Sequence, residues 1–177
     1  MDADEFWQLI DKTREVSGGD VSMQADLLVE ILVKRSVDEI FAYEKIMDNL
    51  LDKSYDGALW DAADIIGCGC SDDGFWDFRA SLIANGQEVY EKALADPESL
   101  VDIIDVDDDG KHGALIYVAM TAYEQKTGQD MPSKNYPTKF HYSQLSGSHW
   151  AEEIRKDRFP KLAAKFGDCE QRWKKWM

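Results

Sequence analysis

A chain of 177 residues, 44% hydrophobic and 11% aromatic, holds enough apolar material for one ordinary domain, so its net charge of −15 does not make it an acidic disordered polymer. Acid in this excess repels nucleic acid and anionic lipid, and no apolar run reaches the roughly 18 residues of a membrane span. The opening Met1-Asp2-Ala3-Asp4-Glu5 has the wrong charge for a signal peptide, so a cytoplasmic protein is expected.

In chain order the pattern predicts amphipathic helices with short joints. Phe6, Leu9 and Ile10 mark a first helix that stops before Ser17-Gly18-Gly19, and Asp20 caps a second with Leu27, Leu28, Ile31 and Leu32 as its stripe. Ser36-Val37-Asp38-Glu39 reads as a capping box, opening a long third helix with Ile40, Tyr43, Met47, Leu50 and Leu51 inward. On this helix Asp48 and Asp52 lie four apart, away from the apolar stripe, and are expected to face solvent. A fourth helix runs from Ala58 to Ile66 and carries Trp60. The glycine-loosened turn Gly67-Cys68-Gly69-Cys70 follows it, then Ser71 as N-cap with Asp72 and Asp73 in the first turn of a fifth helix. Phe75, Phe78 and Leu82 form one face of that helix and Trp76, Arg79 and Ile83 the next, up to a glycine stop at Asn85-Gly86. The sixth helix carries Val89, Tyr90, Ala93 and Leu94. Asp96-Pro97-Glu98-Ser99 starts another, and a further helix with Leu115, Val118, Ala119 and Ala122 ends at Thr127-Gly128.

Residues 129–147 break this rhythm with Met131-Pro132, Tyr136-Pro137 and Ser146-Gly147, a connection longer than compact domains usually carry. Phe140 and Tyr142 alternate with His141, which allows a short strand pair near residues 138–145. A last helix from about His149, with Trp150, Glu153 and Ile154, meets Pro160, where it is kinked or divided, and Leu162 and Phe166 continue its stripe. Trp173 and Trp176, three apart among Arg172, Lys174 and Lys175, either latch the terminus onto the domain or form an exposed anchor. The expected fold is all-α, a single-domain multi-helix bundle over 1–177: a helical core at 1–128, the long connection at 129–147 and a basic helical segment at 148–177.

The motif search is largely negative. Asp105-Val106-Asp107-Asp108-Asp109-Gly110 opens like a calcium loop, but its twelfth position is Ile116, where a bidentate Glu would be needed. No metal site and no cofactor are expected. Cys68 and Cys70 lack the Cys-x-x-Cys spacing, Cys169 lies far off, and the three histidines form no paired motif. Reduced thiols and small residues in a tight turn are the expectation, though a spatial Cys-His-Asp arrangement stays open. Phosphate-cradling, nucleophile-elbow and His-Glu-x-x-His motifs are absent.

The block Ser71-Asp72-Asp73-Gly74-Phe75 with Phe78-Arg79, Leu82-Ile83, Gly86 and Asp96-Pro97-Glu98-Ser99-Leu100, together with Phe6-Trp7-Gln8-Leu9-Ile10-Asp11, resembles a bacterial family known as domain of unknown function 4240. The resemblance covers most of residues 5–128. It implies a fold lineage and a bacterial setting, with no activity to carry onto these residues.

The distribution of charge decides between the functions left. Residues 1–110 hold 28 Asp and Glu against 8 Lys and Arg, a balance of −20, whereas residues 111–177 hold 7 against 12, or +5. Such a field steers a basic protein partner inward and rejects nucleic acid and membranes. The first expectation is therefore a non-enzymatic interaction protein, an acidic inhibitor or immunity-type protein that occludes its partner; the basic C-terminal segment docking on the chain's own acidic helices is the plainer account of the same charges. The alternative is an enzyme with an unrecognised polar site around Ser71, Asp72, Asp73 and Arg79, for which a helix cap with a salt-bridged Arg is the competing explanation.

Overall fold

The computed structural model describes residues 1–106, 108, 110–132 and 144–174, apart from the side chains of Glu152 and Trp173. Ten α-helices are present among them: α1 Ala3–Ser17, α2 Val21–Val33, α3 Val37–Lys53, α4 Gly57–Ile66, α5 Asp72–Ala84, α6 Gln87–Ala95, α7 Val118–Thr127, α8 Glu152–Arg158, α9 Pro160–Phe166 and α10 Cys169–Lys174. Two 3₁₀ helices, Pro97–Asp102 and Gly113–Tyr117, precede and lead into α7. The domain is all-α, and no helix among the described residues is long and apolar enough to cross a membrane.

The helix starts follow their caps. Asp2, Asp20, Ser36, Asp56 and Ser71 each accept a backbone N–H of the first turn that follows, and at Ser36 the Glu39 carboxylate returns the bond to the Ser36 N–H. These backbone and hydroxyl donors, with Arg35 behind them, hold the Glu39 carboxyl down at about 2. At the other ends, Gly18 and Gly128 take left-handed conformations that close α1 and α7.

Helix α5 is the hub. It contacts α1, α3, α4, α6 and the Gly113–Tyr117 turn, and from Phe78 to Ala84 every side chain is buried. A helix stretch buried on all sides belongs in the middle of a core. Its own Phe75 and Phe78 share the core with Phe6, Ile10, Leu28, Leu32, Tyr43 and Met47, each under 2% exposed. Full burial of such side chains contributes about 1.5–3 kcal/mol apiece. Gln24 of α2 ties the layers by donating to the Ile10 carbonyl of α1 and the Ala84 carbonyl of α5.

Two expectations need correction: the last helix begins at Glu152 and not near His149, and the cysteines are not all reduced. The start expected at Asp96-Pro97 is present and opens a 3₁₀ helix, the Glu98 N–H donating to the Asp96 carboxylate. Pro160, which lacks an N–H to continue the ladder, divides the last helix into α8 and α9, one of the two expected outcomes; α8 begins only at Glu152, and its Ile154 is 47% exposed. Residues 138–143 of the expected strand pair lie outside the described residues; Gln144 and Leu145 are not in a strand, and among the described residues a parallel bridge joins Asp56 and Ser146. Finally, Cys68 and Cys169 are joined as a disulfide, against the expectation of reduced thiols.

Residues 144–166 wrap the outside of α4. Ser146 exchanges backbone bonds with Tyr55 and Gly57, and its hydroxyl donates to the Asp56 carboxylate. The backbone of Ser148 and His149 then crosses so close to Gly57 that a Cβ there would lie 2.6 Å from a carbonyl carbon. Leu162 and Phe166 of α9 are fully buried against α4 and the Pro97–Asp102 turn.

Candidate functional site

The Ser71–Arg79 block separates into an outside and an inside. Ser71, Asp72 and Asp73 are exposed at the N-terminus of α5, where the Ser71 hydroxyl accepts the Gly74 N–H. Arg79, two turns on, is 9% exposed and turns inward. Its Nη1 donates to the Leu51 carbonyl at 2.6 Å and its Nε to the Phe75 carbonyl, and the guanidinium lies over the rings of Tyr55 and Phe75. Burial pulls its pKa below the ordinary arginine value. Asp72 and Arg79 share a helical face by spacing, yet the guanidinium serves to close the C-terminal end of α3 against α5.

On α3 the carboxylates run in a row. Glu44, Asp48 and Asp52 stand four apart, and their exposure rises along the helix from buried through half-buried to exposed. Burial, reinforced by Asp48, pushes the Glu44 carboxyl up to about 8; burial and then Asp52 push Asp48 up to about 6. The expectation that Asp48 faces solvent thus needs correction. The row turns in toward the core because the stripe it borders, Ile40, Met47 and Leu51, is wholly buried. The Tyr90 hydroxyl of α6 donates to the Leu50 carbonyl, which places the C-terminal half of α3 beside α6 and its exposed Glu88 and Glu91.

The acids of α4 are differently placed. Asp61 is fully buried, and its carboxylate accepts the Trp150 N–H while meeting His149 Nδ1 at 2.9 Å and Arg155 Nε at 3.3 Å. Arg155 also pairs with Asp64 and donates to the Trp150 carbonyl at 2.6 Å. Burial raises the Asp61 pKa, while the Trp150 N–H and the charges of His149, Arg155 and Arg158 oppose the rise. Lys165 caps the Val101 and Ile104 carbonyls, and Glu98 accepts the Lys161 N–H. Here the basic segment does dock on the chain's own acids.

The calcium-like loop is put to packing. Gly110 adopts φ +69° with the Phe78 ring so near that a Cβ would touch it at 3.0 Å, and the Asp108 carboxylate accepts the Gly110 N–H and meets His112 Nε2 at 2.9 Å. Asp107 and Asp109 lie outside the described residues, and among the described ones no group of three or more His, Cys, Asp or Glu is arranged to hold a metal ion. Trp7 is buried, Trp60 stacks on Phe75 and donates to the Cys70 carbonyl, and Arg158 lies over Trp150. Trp176 and the Trp173 side chain lie outside the described residues.

Sequence reasoning missed that Asp61, His149 and Arg155 meet in one polar cluster. A family model described as "Protein of unknown function (DUF4240)" matches residues 1–125, so the segment that covers α4 lies beyond the matched part. No curated protein and no solved structure matches the chain.

Proposed function

Since the chain belongs to the DUF4240 family, which brings no chemistry with it, we propose from its charge layout that it is a non-enzymatic interaction protein. Its open acidic face, built from the C-terminal half of α3 and from α6, occludes a basic protein partner in the cytoplasm, as an inhibitor or immunity-type protein does. One observation carries this reading: His149 and Arg155 of the C-terminal segment meet the acids of α4, whereas in the row Glu44, Asp48, Asp52 burial first and the neighbouring carboxylate second push the inner members up to about 8 and about 6.

A carboxylate that resists ionisation through burial and, second, through like-charged neighbours is more readily ionised when a cation arrives beside it. Binding of a basic surface favours the ionised forms and expels protons, so association strengthens between pH 6 and pH 8. The exposed Asp52, Glu88 and Glu91 supply the long-range steering that brings such a partner in.

The test is capture from the cells that make the protein, with the bound chains identified by mass spectrometry. The expected ligand is a protein with a basic face that is retained at low salt and lost when Asp52 and Glu91 are both reversed to Lys. Retention of an acidic protein, or indifference to the two reversals, would refute the reading.

A further inference from the structure

The disulfide joins the turn after α4 to the first residue of α10, across 101 residues of chain and 5.6 Å between Cα atoms. Cys68 lies inside the family-matched part and Cys169 beyond it. We propose that Cys68–Cys169 is a reversible thiol–disulfide switch that clamps α10 onto the domain, opened by a small thiol or dithiol that enters the cavity beside it.

Access is the first support. A cavity of about 300 Å³ is lined by both cysteines together with Asp64, Arg155 and Gly167. Its size admits a small thiol.

The chemistry of the bond is the second. Arg172 Nη1 lies 3.4 Å from the Cys68 sulfur, where its charge favours a thiolate. A sulfur that departs as a stabilised thiolate leaves faster, so a thiol attacking Cys169 expels Cys68. With a dithiol the reaction balances without further reagents. The first thiolate forms a mixed disulfide with Cys169, and the second closes the reductant's own S–S bond and releases the Cys169 thiol. Two electrons and two protons pass to the protein.

What opening would do is the third. Helix α10 has six residues, far below the roughly 12–15 at which an isolated helix becomes even marginal. Apart from the disulfide, its described anchor is Arg172, which donates to the Ile66 and Phe166 carbonyls and, through Nη2, to the Asp108 carbonyl. Glu170, Gln171 and Lys174 are exposed. Helix α9, by contrast, is rooted by Leu162 and Phe166. Reduction therefore frees α10 and leaves α9 in place. The turn is built to let go as well: Cys68 holds φ +53°, a conformation that L side chains rarely adopt, and Gly69 beside it at φ +115° has open space where a Cβ would stand.

Hydrogen exchange read by mass spectrometry on the full chain, oxidised and then treated with dithiothreitol, decides the matter. Amides of residues 169–174 should exchange about tenfold faster or more after reduction, while 160–166 and 3–17 are unchanged. Cys169→Ser should show the fast pattern without reductant. In the oxidised protein, alkylation should modify Cys70 alone of the three cysteines. Arg172→Met should slow reduction by glutathione about tenfold by removing the charge beside the leaving sulfur; a residue that merely shields the bond would speed it when removed. Equal protection of 169–174 in both states, loss of protection spreading to α1 and α9, alkylation of Cys68 and Cys169 in the oxidised protein, or faster reduction of Arg172→Met would each overturn the switch.

Discussion

Helices α3 and α4 both carry carboxylates toward the core, and they resolve the burden in opposite ways. On α4, Asp61 is completely buried, yet a backbone N–H, an imidazole and a guanidinium meet it, all from residues 149–155. On α3, Glu44 is 5% exposed and its pKa is driven up to about 8 by burial and by Asp48. By net charge alone both helices are simply acidic, −3 for α3 and −2 for α4. The difference teaches that acid answered by the chain's own cations belongs to the architecture, while acid left to repel its neighbours is where an outside cation has most to offer.

The comparison breaks most visibly at Asp61. Asp61→Ala removes the acceptor for the Trp150 N–H and one of the two carboxylates that meet Arg155, and should cost about 3–5 kcal/mol in chemical denaturation, with protection lost first in α8. A change below about 1 kcal/mol would mean that the α4 site is not the internal ion cluster described.

Glu44→Gln sharpens the other side. Folding raises this carboxyl from an ordinary 4.5 to about 8, so between those values the folded state keeps a proton that the unfolded chain has lost. Its stabilising contribution is full below pH 4.5 and falls as pH rises, by up to about 1.4 kcal/mol per pH unit. The Gln variant should be more stable than wild type at pH 8 and should flatten the decline measured by urea unfolding from pH 5 to 8. An unchanged slope would show that Glu44 ionises freely.

Some of this was legible in the sequence. The caps at Asp20, Ser36 and Ser71 and the stripe of α3 are local patterns, set within four residues, and they place the helices correctly. Pro160 is likewise a local signal, and the helix divides there. What spacing could not show is which partner arrives from far along the chain. Asp61 and His149 are 88 positions apart, and Cys68 and Cys169 are 101 apart, so no periodicity links them. Arg79 illustrates the same limit: the helical wheel puts it with Asp72, but an available carbonyl on α3 and two aromatic faces draw it inward.

Smaller effects separate the covering segment from the core. Gly57→Ala drives a methyl group into the backbone of Ser148 and His149 and should cost about 1–3 kcal/mol, with faster hydrogen exchange at residues 146–155 and none added in α1 or α2. Ser36→Ala removes the capping box that starts α3 and should cost about 1 kcal/mol in thermal unfolding without altering either acidic face.

The open face itself is tested most directly by the rate at which the captured partner associates, measured by stopped flow as ionic strength is raised, for wild type and for the double reversal Asp52→Lys with Glu91→Lys. Both residues are exposed, whereas the half-buried Asp48 would bury an ammonium if reversed. The wild-type rate should fall steeply as the Debye length shortens to about 8 Å at physiological salt, and the variant should associate slowly with a nearly flat dependence. A wild-type rate indifferent to salt, or a variant that keeps the wild-type rate and slope, would contradict an acidic face on α3 and α6 that draws in a basic partner.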